Sequence, residues 1–178
     1  MKHHWWATPV WEIETGFDQT FNSELLREIS SYTENSKQAT GVWNCKSPRT
    51  LYLKEYILNT VRGYASECLS ESFNFAPVLT AGWIHEQHPG ESLALHDHGG
   101  TLIACSYYIS APPNSGNLLL VDPRGSINWD FTKEKYQRIV PRPSKLVIFP
   151  AYVMHMVEIN KSQKTRISLG CNVSSTTL

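Results

Sequence analysis

The stretch LALHDHGGTLIACSYYIS, Leu93 to Ser110, decides the fold. It sets two histidines two residues apart around Asp97, passes through Gly99–Gly100, and enters a run rich in β-branched and aromatic residues. That order reads as two strands joined by a glycine turn. In a strand, residues i and i+2 project to the same face, so His96 and His98 are expected to point together with Asp97 turned away. The pair alone fits two readings: half of a metal site, or a polar turn between strands.

The same texture continues on both sides. From Pro77 onward, short runs of Val, Ile, Leu and Tyr alternate with Pro, Gly, Asn and Asp at roughly ten-residue intervals. The expected strands are Val78–His85, Ser92–His98, Leu102–Ile109, Asn117–Val121, Tyr136–Val140, Leu146–Phe149, His155–Ile159 and Arg166–Asn172. Upstream the period is helical. NSELLREISSYTENS (Asn22–Ser36) offers an N-cap at Asn22 or Ser23, Glu24 in the first turn, and Leu25, Leu26 and Ile29 at helical spacing. A second helix is expected from Ser47–Pro48 to Glu71, with Leu51, Leu53, Ile57, Leu58, Val61, Ala65, Cys68 and Leu69 as its apolar stripe. Two helices followed by eight short strands predict a mainly β (α+β) chain, a double-sheet barrel or jelly roll with N-terminal helices packed on one sheet. At 178 residues a single domain spanning 1–178 is expected, with an N-terminal helical layer over 1–75 and a β core over 76–178.

Charge is balanced, with 16 basic and 16 acidic side chains, so no overall field draws the chain toward nucleic acid or an acidic membrane face. The four cysteines show no short paired spacing, and Cys68 and Cys105 fall in apolar runs where buried thiols are expected rather than a disulfide framework. MKHHWWATPVWEIE lacks the apolar stretch of a secretory signal, and no run approaches the roughly 18 apolar residues of a membrane span. A cytoplasmic setting follows, in which the Asn172-Val173-Ser174 glycosylation pattern has no role.

A metal site needs a third ligand. In KLVIFPAYVMHMVEI (Lys145–Ile159) an apolar strand, a turn at Pro150 and a histidine opening the next strand make His155 the candidate; the alternative is a core histidine bonded to backbone. In KTRISLGCNV (Lys164–Val173) alternation turns Arg166, Ser168 and Gly170 to one face and Ile167, Leu169 and Cys171 to the other. A guanidinium on the inward face requires an anionic partner, which a carboxylate ligand would supply. His85 and His88 in WIHEQHPGES do not read as a zinc motif, because Pro89–Gly90 breaks any helix there. They are expected at the mouth or in solvent, and Arg124 in VDPRGS is expected to be a water-exposed turn residue.

The ordered set His96-Asp97-His98, Tyr107-Tyr108, Asp122-Pro123-Arg124, Phe149-Pro150, His155, Arg166-Ile167-Ser168 and Asn172 resembles the Fe(II)- and 2-oxoglutarate-dependent oxygenases. The likeness runs from about Trp83 to Asn172, and TPVW at Thr8–Trp11 is typical of a subgroup common in phages and marine bacteria. It implies a double-stranded β-helix in which His96, His98 and His155 hold iron. Arg166 and Ser168 would then bind the distal carboxylate of 2-oxoglutarate. Tyr108 would donate to the same carboxylate, as in the prolyl-hydroxylase branch, or else be a strand-core tyrosine. Tyr107 is expected to face the other way and pack, and His85 to stand near the cosubstrate.

The implied activity is hydroxylation of a small-molecule or peptide substrate by dioxygen, with release of succinate and CO2. One departure stands out. The broad superfamily carries Asp or Glu where this chain has His98, so three neutral imidazoles would leave the iron charge uncompensated until a dianionic cosubstrate binds. Asp97 could orient an imidazole from behind, or ligate the metal if the strand bulges. Trp129 and Phe131 in GSINWDFTKEK (residues 125–135) are expected at the entrance or over the core, and Trp5–Trp6 with His3–His4 at a barrel edge or an oligomer contact. Uncovered sheet edges make a homodimer an option. Two rival readings remain at this point: a cupin-like three-histidine dioxygenase that uses no 2-oxo acid, and a non-catalytic jelly-roll binding or structural module.

Overall fold

Helix α1 (Gln19–Ser36) starts earlier than its apolar spacing predicts. In the computed structural model, which describes residues 8–36, 41–68, 74–124 and 135–177, Asp18 is the N-cap: its carboxylate accepts the Phe21 N–H at 2.7 Å. Asn22 cannot cap, because the sheet below claims its side chain. Its Oδ1 accepts the Tyr107 hydroxyl at 2.6 Å and its amide donates to Ser144 Oγ at 2.7 Å. Leu25 and Ile29 are buried beneath it as expected. Helix α2 (Pro48–Cys68) buries Leu53, Ile57, Val61 and Ala65. Two members of the expected stripe lie outside it. Leu51 stands two residues, about 200°, from Leu53 and is exposed while Thr50 is buried; Cys68 is exposed at the helix end. The expected continuation past Cys68 lies outside the described residues.

Among the described residues, nine antiparallel strands form two sheets. β1 (Trp11–Glu14), β2 (Pro77–Gln87), β4 (Ile103–Ser110), β7 (Lys145–Pro150) and β9 (Arg166–Ser175) make the larger, in the order β1-β7-β4-β9-β2; β3 (Leu93–His96), β5 (Leu118–Val121), β6 (Tyr136–Ile139) and β8 (His155–Val157) make the smaller, in the order β3-β8-β5-β6. This is the jelly roll that the pattern predicts, with the helices on one sheet. β1 is an addition: Trp11 to Glu14 pair with Ile148 to Lys145 along the sheet edge. The strand through Ser92–His98 is shorter than expected, closing at His96 ahead of the Gly99–Gly100 turn.

Side-chain alternation divides the larger sheet between two cores. Cys105, Tyr107, Leu146, Ile148, Leu169, Cys171 and Val173 turn outward and pack under the helices. Ala104, Tyr108, Val147 and Phe149 turn inward to meet Leu118, Leu120 and Val157 of the smaller sheet. A one-residue slip would exchange the two sets, so the register is fixed twice over. Cys45, Cys105 and Cys171 are free and buried. Among the described residues no helix is long and apolar enough to cross a membrane.

Candidate active site

The inner face of the larger sheet is laid out in rows by strand pairing. Phe149, Ala104, Asn172 and Ala81 form one row; Val147, Ser106, Gly170 and Trp83 the next; then Tyr108, Ser168 and His85. Arg166, paired with Gln87, closes the series. Every inward residue of β9 therefore has the parity that the sequence predicts, and Arg166 and Ser168 are both buried.

His96, His98 and His155 come together opposite this face. One ring nitrogen from each lies within 4.8 Å of the others, a geometry that could hold a metal ion. Ring centroids are 4.2 Å apart for His96–His155, 4.9 Å for His98–His155 and 5.3 Å for His96–His98. Strand pairing accounts for two of the three, since His96 sits directly opposite His155. His98 lies beyond the strand end, with its N–H donated to Ala151 C=O at 3.1 Å. The ring pairing expected from alternation is thus delivered by a turn instead. Phe149 packs edge-on to His155 at 5.0 Å and Trp83 lies 5.4 Å from His98, so the cluster stands over the Asn172 and Gly170 rows.

Burial disfavours the charged form of two of the three rings. Burial holds His155 neutral down to about 4, outweighing a backbone hydrogen bond to Val153, and also lowers His98. Nδ1 of His96 meets Ala94 C=O at 2.8 Å and Nδ1 of His155 meets Val153 C=O at 2.9 Å. Each contact demands a proton on Nδ1 and leaves Nε2 bare for a metal. Of the two roles open to Asp97 in the sequence, orienting an imidazole or ligating the metal, its hydrogen bonding displays neither. It is exposed, and its carboxylate caps the turn by accepting the Gly99 N–H at 3.2 Å.

At the other end, the Arg166 guanidinium donates to Gly116 C=O at 3.1 Å, and its Nε has no partner. Tyr108 Oη and Asn172 Oδ1 are likewise buried without partners. Burial is the main force disfavouring the charge on Arg166 and ionisation of Tyr108. His85, beside Ser168, is half-buried and held toward its neutral form by burial and by Arg166. His88 is exposed and meets Thr165 Oγ1 at 3.0 Å. Arg124 forks onto Asp122 at the surface. Trp129, Phe131, Trp5, Trp6, His3 and His4 lie outside the described residues.

Sequence reasoning gave no role to Trp83 and Gly116, and placed Gly170 on the inward face without giving it one. Trp83 carried a usable signal, because it shares the parity of His85 on β2. The carbonyl of Gly116 carried none, since nothing local ties it to an arginine 50 residues away.

Comparison with known proteins turns this geometry into a family assignment. A family profile described as "Putative 2OG-Fe(II) oxygenase" matches residues 81–172, more than half of the 178-residue chain. The chain belongs to this family of 2-oxoglutarate- and Fe(II)-dependent oxygenases. Among curated proteins, none matches it. The fold of the oxygenase is similar to that of HygX from Streptomyces hygroscopicus with nickel and 2-oxoglutarate bound, at 14% identity and TM-score 0.67 over 95% of this chain and 83% of that one. It is similar to SnoK, a non-heme alpha-ketoglutarate-dependent carbocyclase from nogalamycin biosynthesis, at 14% identity and TM-score 0.70 over 94% and 80%. A Pseudomonas putida prolyl-4-hydroxylase aligns at 12% identity and TM-score 0.65 over 95% and 86%. At such identities the likeness is one of fold, and the fold is the oxygenase jelly roll.

Fe(II) and 2-oxoglutarate are the cofactors of the oxygenase family, and the residues present suit them. Imidazole nitrogens are good donors for divalent first-row metals. A buried guanidinium and a phenol with unused donors are what a carboxylate requires.

Proposed function

We propose that this oxygenase is a hydroxylase in which His96, His98 and His155 hold Fe(II), while Arg166, Ser168 and Tyr108 receive the distal carboxylate of 2-oxoglutarate. The observation that carries the reading is the placement of Arg166. Its guanidinium is buried with an unpartnered Nε, on the same inner face over which the imidazoles gather.

When bound, iron and cosubstrate supply the oxidation: one oxygen atom of O2 enters a substrate C–H bond and the other enters the succinate formed as CO2 leaves. What the chain contributes is binding and exclusion. Its three imidazoles add no negative charge, so the site draws a dianion both at the metal end and at the guanidinium. Ser168 and Tyr108 lie in the row between the imidazoles and Arg166 and can donate to the same carboxylate. Phe149, Val147 and Leu120 keep water from the inner wall. His96 and His98 are only half-buried, which leaves this side open to a small molecule or a peptide.

A three-histidine dioxygenase working without a 2-oxo acid would leave the buried guanidinium without a task. We further read the chain as one domain, because the helices share their core with the larger sheet, and as cytoplasmic, because its buried thiols are free.

The test is anaerobic titration of the Fe(II) protein with 2-oxoglutarate, followed by the visible charge-transfer absorption. The wild type should develop the band and Arg166→Ala should not. Unchanged binding in that variant would overturn the carboxylate assignment.

A further inference from the structure

Two of the three imidazoles are steered by backbone carbonyls through Nδ1, and the third is not. Among the described residues, no hydrogen-bond partner holds the His98 ring, which lies past the end of β3 and is anchored through its backbone alone, the N–H donating to Ala151 C=O and the carbonyl accepting the Thr101 N–H. A metal-binding histidine ordinarily has its second nitrogen bonded to a partner that fixes tautomer and orientation. Apart from the other two imidazoles, the ring that packs beside His98 is Trp83, with centroids 5.4 Å apart and planes inclined by 44°.

Trp83 can lie there only because its register partner is glycine. A Cβ built on Gly170 would fall 2.6 Å from Trp83 Cε2 and 2.7 Å from Cζ2, so the indole occupies the space of the missing side chain. Gly170 is therefore required for close approach rather than for an unusual backbone angle. The indole is wedged between β9 and the His98 ring, a contact within the range where aromatic pairs attract.

We propose that Trp83 is a positioning residue, which, seated on Gly170, sets the orientation of the His98 imidazole by packing where the other two rings are set by hydrogen bonds. The proposal rests on the reading of His98 as a metal ligand. It also accounts for how this chain supports an imidazole at a position where the broad superfamily carries a shorter carboxylate: the ring is braced from the side, by a partner on the facing sheet.

The test is calorimetric titration of the metal-free protein with Co(II), together with the Co(II) absorption spectrum. Wild type, Trp83→Ala, Trp83→Phe, Gly170→Ala and His98→Ala should be compared. Trp83→Ala should weaken Co(II) by about tenfold or more, the usual cost of losing the group that orients a ligand, and should alter the spectrum. Trp83→Phe should recover most of both. Gly170→Ala, which touches no ligand but evicts the indole, should reproduce the defect, and it serves as the test if Trp83→Ala does not fold. A folded Trp83→Ala or Gly170→Ala with wild-type spectrum and an affinity within about twofold of wild type overturns the proposal. If His98→Ala also binds like wild type, or wild type takes up no Co(II), the assignment of His98 as a ligand falls and takes the proposal with it.

Discussion

The Arg166 guanidinium carbon lies 5.6 Å from the centroid of the Tyr108 ring, and each of the two side chains carries a buried polar atom that nothing described here satisfies. Neither donor can be met by turning to solvent, since Tyr108 is fully buried and Arg166 nearly so. A buried group left unmatched costs about 1–3 kcal/mol. The wall is therefore built at the expense of stability, and an incoming carboxylate recovers part of the loss.

Tyr108→Phe separates that cost from its use. With the unmatched hydroxyl gone and the ring kept, the melting temperature of the ligand-free protein should stay constant or rise. The Kd for 2-oxoglutarate should increase about tenfold, equivalent to about 1.4 kcal/mol. A fall of several degrees in melting temperature with no change in Kd would place Tyr108 in the core alone.

Gly116→Ala should strike stability and binding together. Gly116 has φ of +88° and an added Cβ would lie 2.2 Å from Glu158 C=O. The strained backbone should cost at least about 2 kcal/mol in urea unfolding. Because the Gly116 carbonyl steadies Arg166, calorimetry should also show weaker 2-oxoglutarate binding in whatever protein still folds.

His98→Asp tests the consequence of an all-imidazole set. The substitution adds one negative charge at the metal, and a unit charge at such range is worth about 1–4 kcal/mol depending on local screening. The variant should hold 2-oxoglutarate at least about fivefold less tightly than wild type, compared at saturating metal. Tighter binding would contradict the charge argument.

Tyr107→Phe probes the other core. Burial pushes the Tyr107 phenol up to about 12, against about 10 in an unfolded chain. Across that window the unfolded state gives up a proton that the folded state keeps, so the stability this residue supports is intact below about pH 10 and lost as pH rises toward 12. At neutral pH the variant should lose about 1–2 kcal/mol, because Asn22 Oδ1 is left without its donor. Its further loss between about pH 10 and 12 should be smaller than that of wild type in denaturant titrations.

Much of this architecture was legible because period-two patterning determines which side chains share a face. The parity of Arg166, Ser168 and Gly170 and the opposite parity of Tyr107 and Tyr108 follow from alternation, and the order of the motifs pointed to His155 as the partner of His96 and His98, although a turn and not alternation brings in the His98 ring. What escaped depends on contacts between distant segments. Asn22 looks like a cap locally and is instead bonded to Tyr107, 85 residues away. Asp97 looks like a partner for imidazole, yet the adjacent glycine turn takes its carboxylate. β1 is held by pairing with β7 across more than 130 residues, and no pattern of four residues announces that.

The burial of the three imidazoles is unequal: His155 is 5% exposed, whereas His96 and His98 both reach the surface. Among the described residues, Phe149 of the inner core packs against His155 alone, not against the two outer rings. Iron would thus be a guest rather than a strut, captured through two outer rings by an inner one already in place after the polypeptide has folded. Removing it with a chelator should silence the enzyme reversibly and leave the scaffold standing, so that metal supply and not chain integrity governs how much of the protein is in service.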